Sequence, residues 1–495
     1  MLFNSYLFIF LFFPLCLFGY YSLLYRKKKR AAQFFLLAMS FWFYGYFQIN
    51  YLLIMVGSIV VNYCFHRLLS KKASVTVLFS ALAFNLGILF YFKYYDFFVA
   101  NINAVFGTSF LLRRVLLPLG ISFFTFQQIG FIVDTYRGEA KDCDPLSYAL
   151  FVAFFPQLTA GPIVTWKEML PQFQRITERN TDWEKIAEGY ALFVLGLFKK
   201  VILADTLGMG VDYGYANIGL LGRMDAVVVI TAYSLQLYFD FSGYCDMARG
   251  IGRMLGIEIP VNFNSPYQAV NIVDFWKRWH ITLNRFFTSY VYIGLGGNRR
   301  GIGRMYLNFL IVFFLSGIWH GAGWNFIVWG MLHGVLYVLT RWYLEKKPAK
   351  ELPREKRTHG NLMMTLVSRI ALFLYVSAAW VYFRAADTAQ AGRMLVTAFR
   401  GEARKISFDL AECFQLDELW YVCKVLRLDR FSWGRYLPMV FLLAAGIGLA
   451  MFGRNAAHLA GRMKGKTLSA VFLAVILVWC VLSFSQVSAF LYFNF

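Results

Sequence analysis

Apolar runs of about twenty residues recur along the whole chain, and nothing else in it restricts the fold as much. A helix needs ~20 mostly apolar residues to cross a bilayer. Inside the hydrocarbon every backbone polar group must be bonded within the structure, which leaves helices or closed barrels. Good candidate spans cover residues 2–24, 31–47, 51–69, 75–92, 187–204, 226–241, 306–319, 326–344, 365–383, 436–452 and 468–492. Two further runs, 111–133 and 146–162, are interrupted by Pro118, Gly120, Pro156, Gly161 and Pro162. Broken segments survive at membrane depth only when buried in protein or lining a cavity. With 59% hydrophobic and 15% charged residues, against about 25% charged in soluble domains, the expectation is an all-α polytopic membrane protein. About a dozen transmembrane or re-entrant segments would surround a central tunnel. Residues 1–495 read as one membrane domain with a motif-bearing core at about 118–340, and 345–361 and 401–435 read as extramembrane loops.

The net charge of +22 could suggest nucleic-acid binding, but the basic residues form short clusters between apolar spans, such as Arg26–Arg30 and the stretch 454–466. The positive-inside rule accounts for that pattern, so no nucleic-acid partner is expected. It also places the N-terminus outside, with 26–30, 67–72 and 454–466 in the cytoplasm. The first run is followed, not preceded, by its positive charges and has no small-residue cleavage site, so it reads as a retained helix rather than a signal peptide. Seven scattered cysteines without CxxC or Cys/His spacing predict neither a disulfide scaffold nor a metal site.

Residues 236–304 break the pattern. Polar, aromatic and turn residues alternate there too densely for lipid-facing helix, which predicts irregular, partly buried backbone around a cavity. Two of the six histidines fall within or beside this stretch. His320 lies in Ser316-Gly-Ile-Trp-His-Gly-Ala-Gly-Trp324, inside a run free of charge. An ionisable group at that depth is costly and marks a functional site by default, and imidazole is the side chain suited to moving a proton near neutral pH. His280 ends Asp274-Phe-Trp-Lys-Arg-Trp-His280, where an interfacial anchor is an equal alternative. A separation of forty residues (320 − 280) lets the two rings meet. His333, with Trp329 and Tyr337 four residues to either side, suits packing; His66, His359 and His458 sit beside basic clusters and read as interfacial. Asp240 and Asp246 need partners, with Lys277, Arg278, Arg249 and Arg253 nearby in sequence, and read first as an ion-pair network in a cavity wall. The glycine-rich Gly294–Gly301 turn lacks the features of a phosphate loop and suggests contact with a phosphorylated ligand or lipid headgroups.

Several motifs together resemble the membrane-bound O-acyltransferase (MBOAT) family, most closely its alginate O-acetylation branch. They are Tyr238-Phe-Asp-Phe-Ser-Gly-Tyr244, Asn262-Phe-Asn264-Ser-Pro-Tyr267, Phe275-Trp-Lys-Arg-Trp-His280, Ile293-Gly-Leu-Gly-Gly-Asn-Arg299, Trp319-His-Gly-Ala-Gly-Trp324 and Phe154-Phe-Pro-Gln-Leu-Thr-Ala-Gly-Pro-Ile163. The similarity runs from about residue 118 to 334. One departure stands out: the branch carries an Arg-Asp pair after the histidine motif, where this chain has Arg285-Phe-Phe-Thr-Ser-Tyr290.

The resemblance implies an acyltransferase with His320 as general base and His280 as the second active-site position, binding the acyl carbonyl or donating to the oxyanion. Trp276, Trp279 and Trp319 would line a tunnel, joined by Asp240, Asn264, Lys277, Arg278 and Asn325 as substrate contacts. It also implies no bound cofactor, acetyl-CoA as acyl donor, and an acceptor hydroxyl on an extracytoplasmic polysaccharide or on a relay partner of the SGNH-hydrolase type. Two alternatives remain: D-alanyl transfer to teichoic acid by a sister branch, and a transporter or channel with a histidine gate.

Overall fold

The computed structural model describes residues 1–140, 143–176, 182–346, 362–463, 465–486 and 491. Among them, seven helices are long and apolar enough to cross a bilayer: Phe8–Tyr25, Ile49–Lys71, Val75–Phe106, Arg223–Met254, Ile302–His320, Leu362–Arg384 and Gly434–Phe452. Lys29–Gly45, Trp183–Phe198, Trp324–Lys346 and Thr467–Leu482 are helical as well. They are too short or too polar to qualify on length and composition, so the count meeting that standard is below the dozen expected.

The organising element is the helix Arg223–Met254. Its 32 residues reach about 48 Å at 1.5 Å per residue. Residues 236–254, expected to be irregular, are continuous helix, and irregular backbone begins only after Met254. The polar and aromatic residues are dense there because protein surrounds the helix on every side, so they face other helices and not a cavity. Its neighbour, Trp183–Phe198, approaches closely enough that glycines face each other in pairs. A Cβ on Gly196 would stand 2.6 Å from the Gly243 carbonyl oxygen, and one on Gly189 would stand 2.7 Å from that of Gly250. Small residues at such a seam let backbones meet where dispersion, not water exclusion, holds helices together.

The same pair of helices carries the main buried charge cluster. Lys200 lies on a π-helical turn, Lys199–Ala204, and its ammonium reaches Asp205 at 2.7 Å and Asp240 at 2.8 Å. Lys199 bonds Asp246 at 2.7 Å. Asp240 also accepts the backbone N–H of Leu491, tying the end of the chain to the central helix. A structural ion-pair network was the first reading of these carboxylates, although their partners are Lys199 and Lys200 more than the cations named from sequence.

The two interrupted runs are broken as expected; residues 121–133 and 146–162 are largely buried, whereas 111–117 are mostly exposed. Residues 107–120 are non-helical and lead into the buried helix Ile121–Tyr136, while 145–162 forms the short helices Pro145–Ala153 and Phe155–Leu158 and a turn. His66 is not interfacial. It is buried, with Nδ1 3.0 Å from Thr135 Oγ1 and its ring against Phe131, because its helix turns that face inward. His458 is exposed, and His359 lies outside the described residues. Residues 401–435 hold the short helices Phe408–Glu412 and Asp417–Val425, anchored where Ser407 N donates to Asp225 at the start of the central helix. Of 345–361, all but the first two residues lie outside the described residues.

Candidate active site

His280 is placed by backbone geometry. Asn271 caps the helix Ile272–Arg278, and a second short helix, Ile281–Phe287, starts directly after the histidine. The chain turns between them with His280 at φ 46°, in the left-handed region. That conformation is uncommon for a residue with a Cβ and persists only where surroundings impose it, often at functional sites. Two backbone hydrogen bonds bracket the turn, from Asn264 N to Arg278 O and from Ile281 N to Asn262 O. The ring is thereby driven inward and is fully buried, 4.9 Å from the Phe241 ring.

Asn262 sets the state of this ring. Its Oδ1 accepts from Thr282 N at 3.2 Å and from Thr282 Oγ1 at 2.9 Å, which fixes it as the carbonyl end of the amide. It stands 3.2 Å from His280 Nδ1, so that nitrogen carries the hydrogen. The Thr282 hydroxyl also accepts from Ile163 N at 2.9 Å, which links the Ala160-Gly-Pro-Ile163 turn to the histidine. Arg285 strengthens the link with a forked pair to Glu168, at 2.5 and 2.8 Å, and a bond to Ile163 O. Arg285 thus has a carboxylate partner despite the missing Arg-Asp pair, supplied from the helix Trp166–Gln174.

His320 closes the helix Ile302–His320. A Cβ on Gly317 would meet the Phe326 carbonyl oxygen at 2.6 Å, and one on Gly330 would meet that of Phe313 at 2.5 Å, so this helix packs tightly on Trp324–Lys346. Its Nδ1 is 2.6 Å from Ser316 O. A carbonyl oxygen only accepts, so Nδ1 bears the hydrogen and a neutral ring carries its lone pair on Nε2. The rings of His280 and His320 lie 6.4 Å apart, with Trp319 6.1 Å from the first and 4.8 Å from the second. The two histidines therefore share one site. His333 is near it but enclosed by Trp276, Trp329 and Trp380, and neither ring nitrogen has a hydrogen-bond partner among the described residues.

Two cavities touch the Ser316–His320 turn. One of about 350 Å³ has Trp276, Lys277, Arg285, Phe313 and Ser316 in its wall. The other, of about 30 Å³, is lined by Lys93, residues 117–123, Thr159, Trp319 and His320. His280 is in the wall of neither, so these two cavities do not form the continuous tunnel expected past both rings; packed aromatic side chains divide it.

The remaining predicted contacts divide in the same way. Trp276 and Lys277 border the larger cavity and Trp319 the smaller. Trp279 borders neither, being packed among Phe275, Tyr238, Phe263 and Trp380. Asn264 is exposed, and it is Asn262 that reaches the histidine. Two residues apart on an extended segment they would share a side, but the chain bends at Asn264, and the two part company there. Arg278 pairs with Asp274 at 2.9 Å, Asp240 belongs to the lysine cluster, and Asn325 bonds the carbonyls of Tyr382 and Ala385, so none of these three faces either cavity. Thr282, Arg285 and Lys93 were not singled out from sequence. A signal existed only for Lys93, a lone cation between two apolar stretches.

A buried pair of histidines among aromatic rings, one of them in a cavity wall, thus stands within a helical membrane body. The chain belongs to the MBOAT, membrane-bound O-acyltransferase family, whose model matches residues 36–383. It is 41% identical over 425 residues to the peptidoglycan O-acetyltransferase of Helicobacter pylori, covering 80% of this chain and 79% of that protein. It is 37% identical over 409 residues to the "probable alginate O-acetylase" of Pseudomonas aeruginosa, with 81% and 75% covered. Similarity to the teichoic acid D-alanyltransferase of Lacticaseibacillus rhamnosus is 29% over 277 residues, 52% of this chain and 68% of that one. The protein is a polytopic membrane O-acyltransferase.

Proposed function

We propose that the protein moves an acetyl group from a cytoplasmic thioester, acetyl-CoA, to an extracytoplasmic hydroxyl on an envelope or secreted polysaccharide, or on a relay protein of the SGNH-hydrolase type. His320 is the general base. The observation that carries this is the Nδ1–H bond to Ser316 O, which sets the tautomer of a neutral ring in the wall of the smaller cavity and makes Nε2 its basic nitrogen. In the reaction Nε2 takes the hydroxyl proton as the oxygen attacks the thioester carbonyl. The C–S bond then breaks, an ester forms, and the proton passes to the departing thiolate. Such a base contributes typically ~10²–10⁴-fold. His280, with hydrogen on Nδ1, also presents an acceptor nitrogen in its neutral form. That favours orienting the acceptor hydroxyl over donating to the oxyanion, the role first expected from the resemblance.

The positive-inside pattern puts the N-terminus outside a bacterial cytoplasmic membrane and Arg299–Arg304 on the cytoplasmic side, where the His320 helix begins. The larger cavity, with Lys277 and Arg285 in its wall, then lies towards the cytoplasm and suits a phosphate-bearing donor. The smaller one lies towards the outside. Among the described residues neither has an Asp or Glu in its wall, and Asp240 is held by Lys200, so the ammonium of a D-alanyl group would meet none of the described carboxylates there. This favours acetyl over D-alanyl transfer. Cells making the protein with its gene neighbours should gain alkali-labile acetate on a glycan. Alkali-labile D-alanine with unchanged acetate would overturn the assignment.

A further inference from the structure

The end of the His320 helix is held by another membrane span. A helix leaves its last carbonyls without intrahelical partners, and here the final helical bond is Gly321 N to Gly317 O. The next three carbonyls, of Ile318, Trp319 and His320, are all bonded by two consecutive residues more than 220 positions away in sequence. Tyr94 OH donates to Ile318 O at 3.0 Å, and Lys93 Nζ donates to Trp319 O at 2.6 Å and His320 O at 3.2 Å. Both residues sit on a π-helical turn, Phe90–Tyr94, that interrupts the span Val75–Phe106. Such turns are frequent at functional sites.

The contrast with Lys199 and Lys200 is informative. Lys199 and Lys200 each pair with a carboxylate, whereas no carboxylate lies within 4 Å of Lys93 among the described residues. A charge at membrane depth without a counter-ion is costly and calls for a function. A cation at a helix C-terminus is favoured by the orphan carbonyls and the helix dipole, but either a neutral donor or an ion pair would cap a helix at lower cost. Lys93 moreover lies in the wall of the same small cavity as His320, with its ammonium 5.8 Å from the Trp319 ring.

We propose that Lys93 is a positioning residue for acyl transfer. With Tyr94 it clamps the last turn of the His320 helix, so that the imidazole is held at the cavity in the orientation its Ser316 bond selects. The proposal rests on His320 being the base of the reaction. Misplacing a catalytic group by an ångström costs up to ~10²-fold in rate, and a clamp on the adjacent carbonyls is the device that prevents it.

The test uses inverted membrane vesicles from cells making the full chain with its gene neighbours, with labelled acetyl-CoA added outside and folded protein quantified. Lys93→Met should lower Vmax per folded molecule by about tenfold or more while KM for acetyl-CoA is unchanged. Lys93→Arg, whose guanidinium can bond two carbonyls, should recover most of the loss, and Tyr94→Phe should show a smaller Vmax defect of the same kind. If Lys93→Met does not fold, the other two variants decide, with wild-type Vmax in Tyr94→Phe counting against the clamp. A fall only in the amount of folded protein, or a rise in KM with Vmax intact, would overturn the proposal. An active His320→Ala would instead remove the reading on which it rests.

Discussion

Two buried polar regions stand within the same bundle and have opposite characters. Around Lys200, three carboxylates meet three cations: Asp205 and Asp240 converge on one ammonium, Lys199 takes Asp246, and Arg249 approaches Asp246 at 3.9 Å. Around His320, the ionisable groups are imidazoles walled by Trp319, Trp329 and Phe383, beside a small cavity whose wall also holds Lys93, bonded to backbone carbonyls. A compensated cluster has nothing left to offer a substrate and serves the fold. The histidine pair has ring contacts and directed hydrogen bonds instead, which suits the proton exchange proposed for it. Burial does not separate the two regions; the presence or absence of carboxylate partners does.

That division can be broken or sharpened by substitution. The largest effect on activity is expected from His320→Ala, a fall of ~10²–10⁴-fold in transfer per folded molecule, measured with labelled acetyl-CoA. Next comes His280→Gly. Glycine adopts the left-handed backbone at this position without strain, so the variant should fold at least as well as wild type while activity drops about 10²-fold. A loss of folded protein in step with activity would make His280 structural. Asn262→Ala frees the His280 ring and leaves Thr282 without its acceptor, and about a tenfold activity loss is expected from imprecise placement. The smallest effect belongs to His333→Phe. Removing two buried nitrogens without partners should leave activity near wild type and raise the thermal unfolding temperature slightly. A strong loss of transfer there would extend the active site beyond Trp276 and Trp329.

Much of this was legible in the chain. The spans follow from apolar length, and His320 follows from the cost of an ionisable group in an uncharged run. What could not be read was which side a residue faces. Asn262 and Asn264 are equivalent in sequence, and only the pairing of residues 262–264 with 278–281 turns the first towards His280 and the second outward. Residues 236–254 looked irregular because composition reports polarity but not what surrounds a helix, and protein on all sides of the central helix accommodates its carboxylates. The carbonyl partners of Lys93 and the Arg285–Glu168 fork are out of reach for the same reason: each depends on a residue over a hundred positions away.

The comparison is tested most directly by purifying His320→Ala and Asp240→Asn side by side and measuring, for each, acyl transfer per folded molecule and thermal unfolding. Breaking a buried pair costs about 3–5 kcal/mol, so Asp240→Asn should lose stability and keep its activity per folded molecule. His320→Ala should unfold close to wild type and lose transfer. The reverse pattern, a stable but inactive Asp240→Asn beside an active His320→Ala, would contradict the account and move the chemistry to the carboxylates of the central helix.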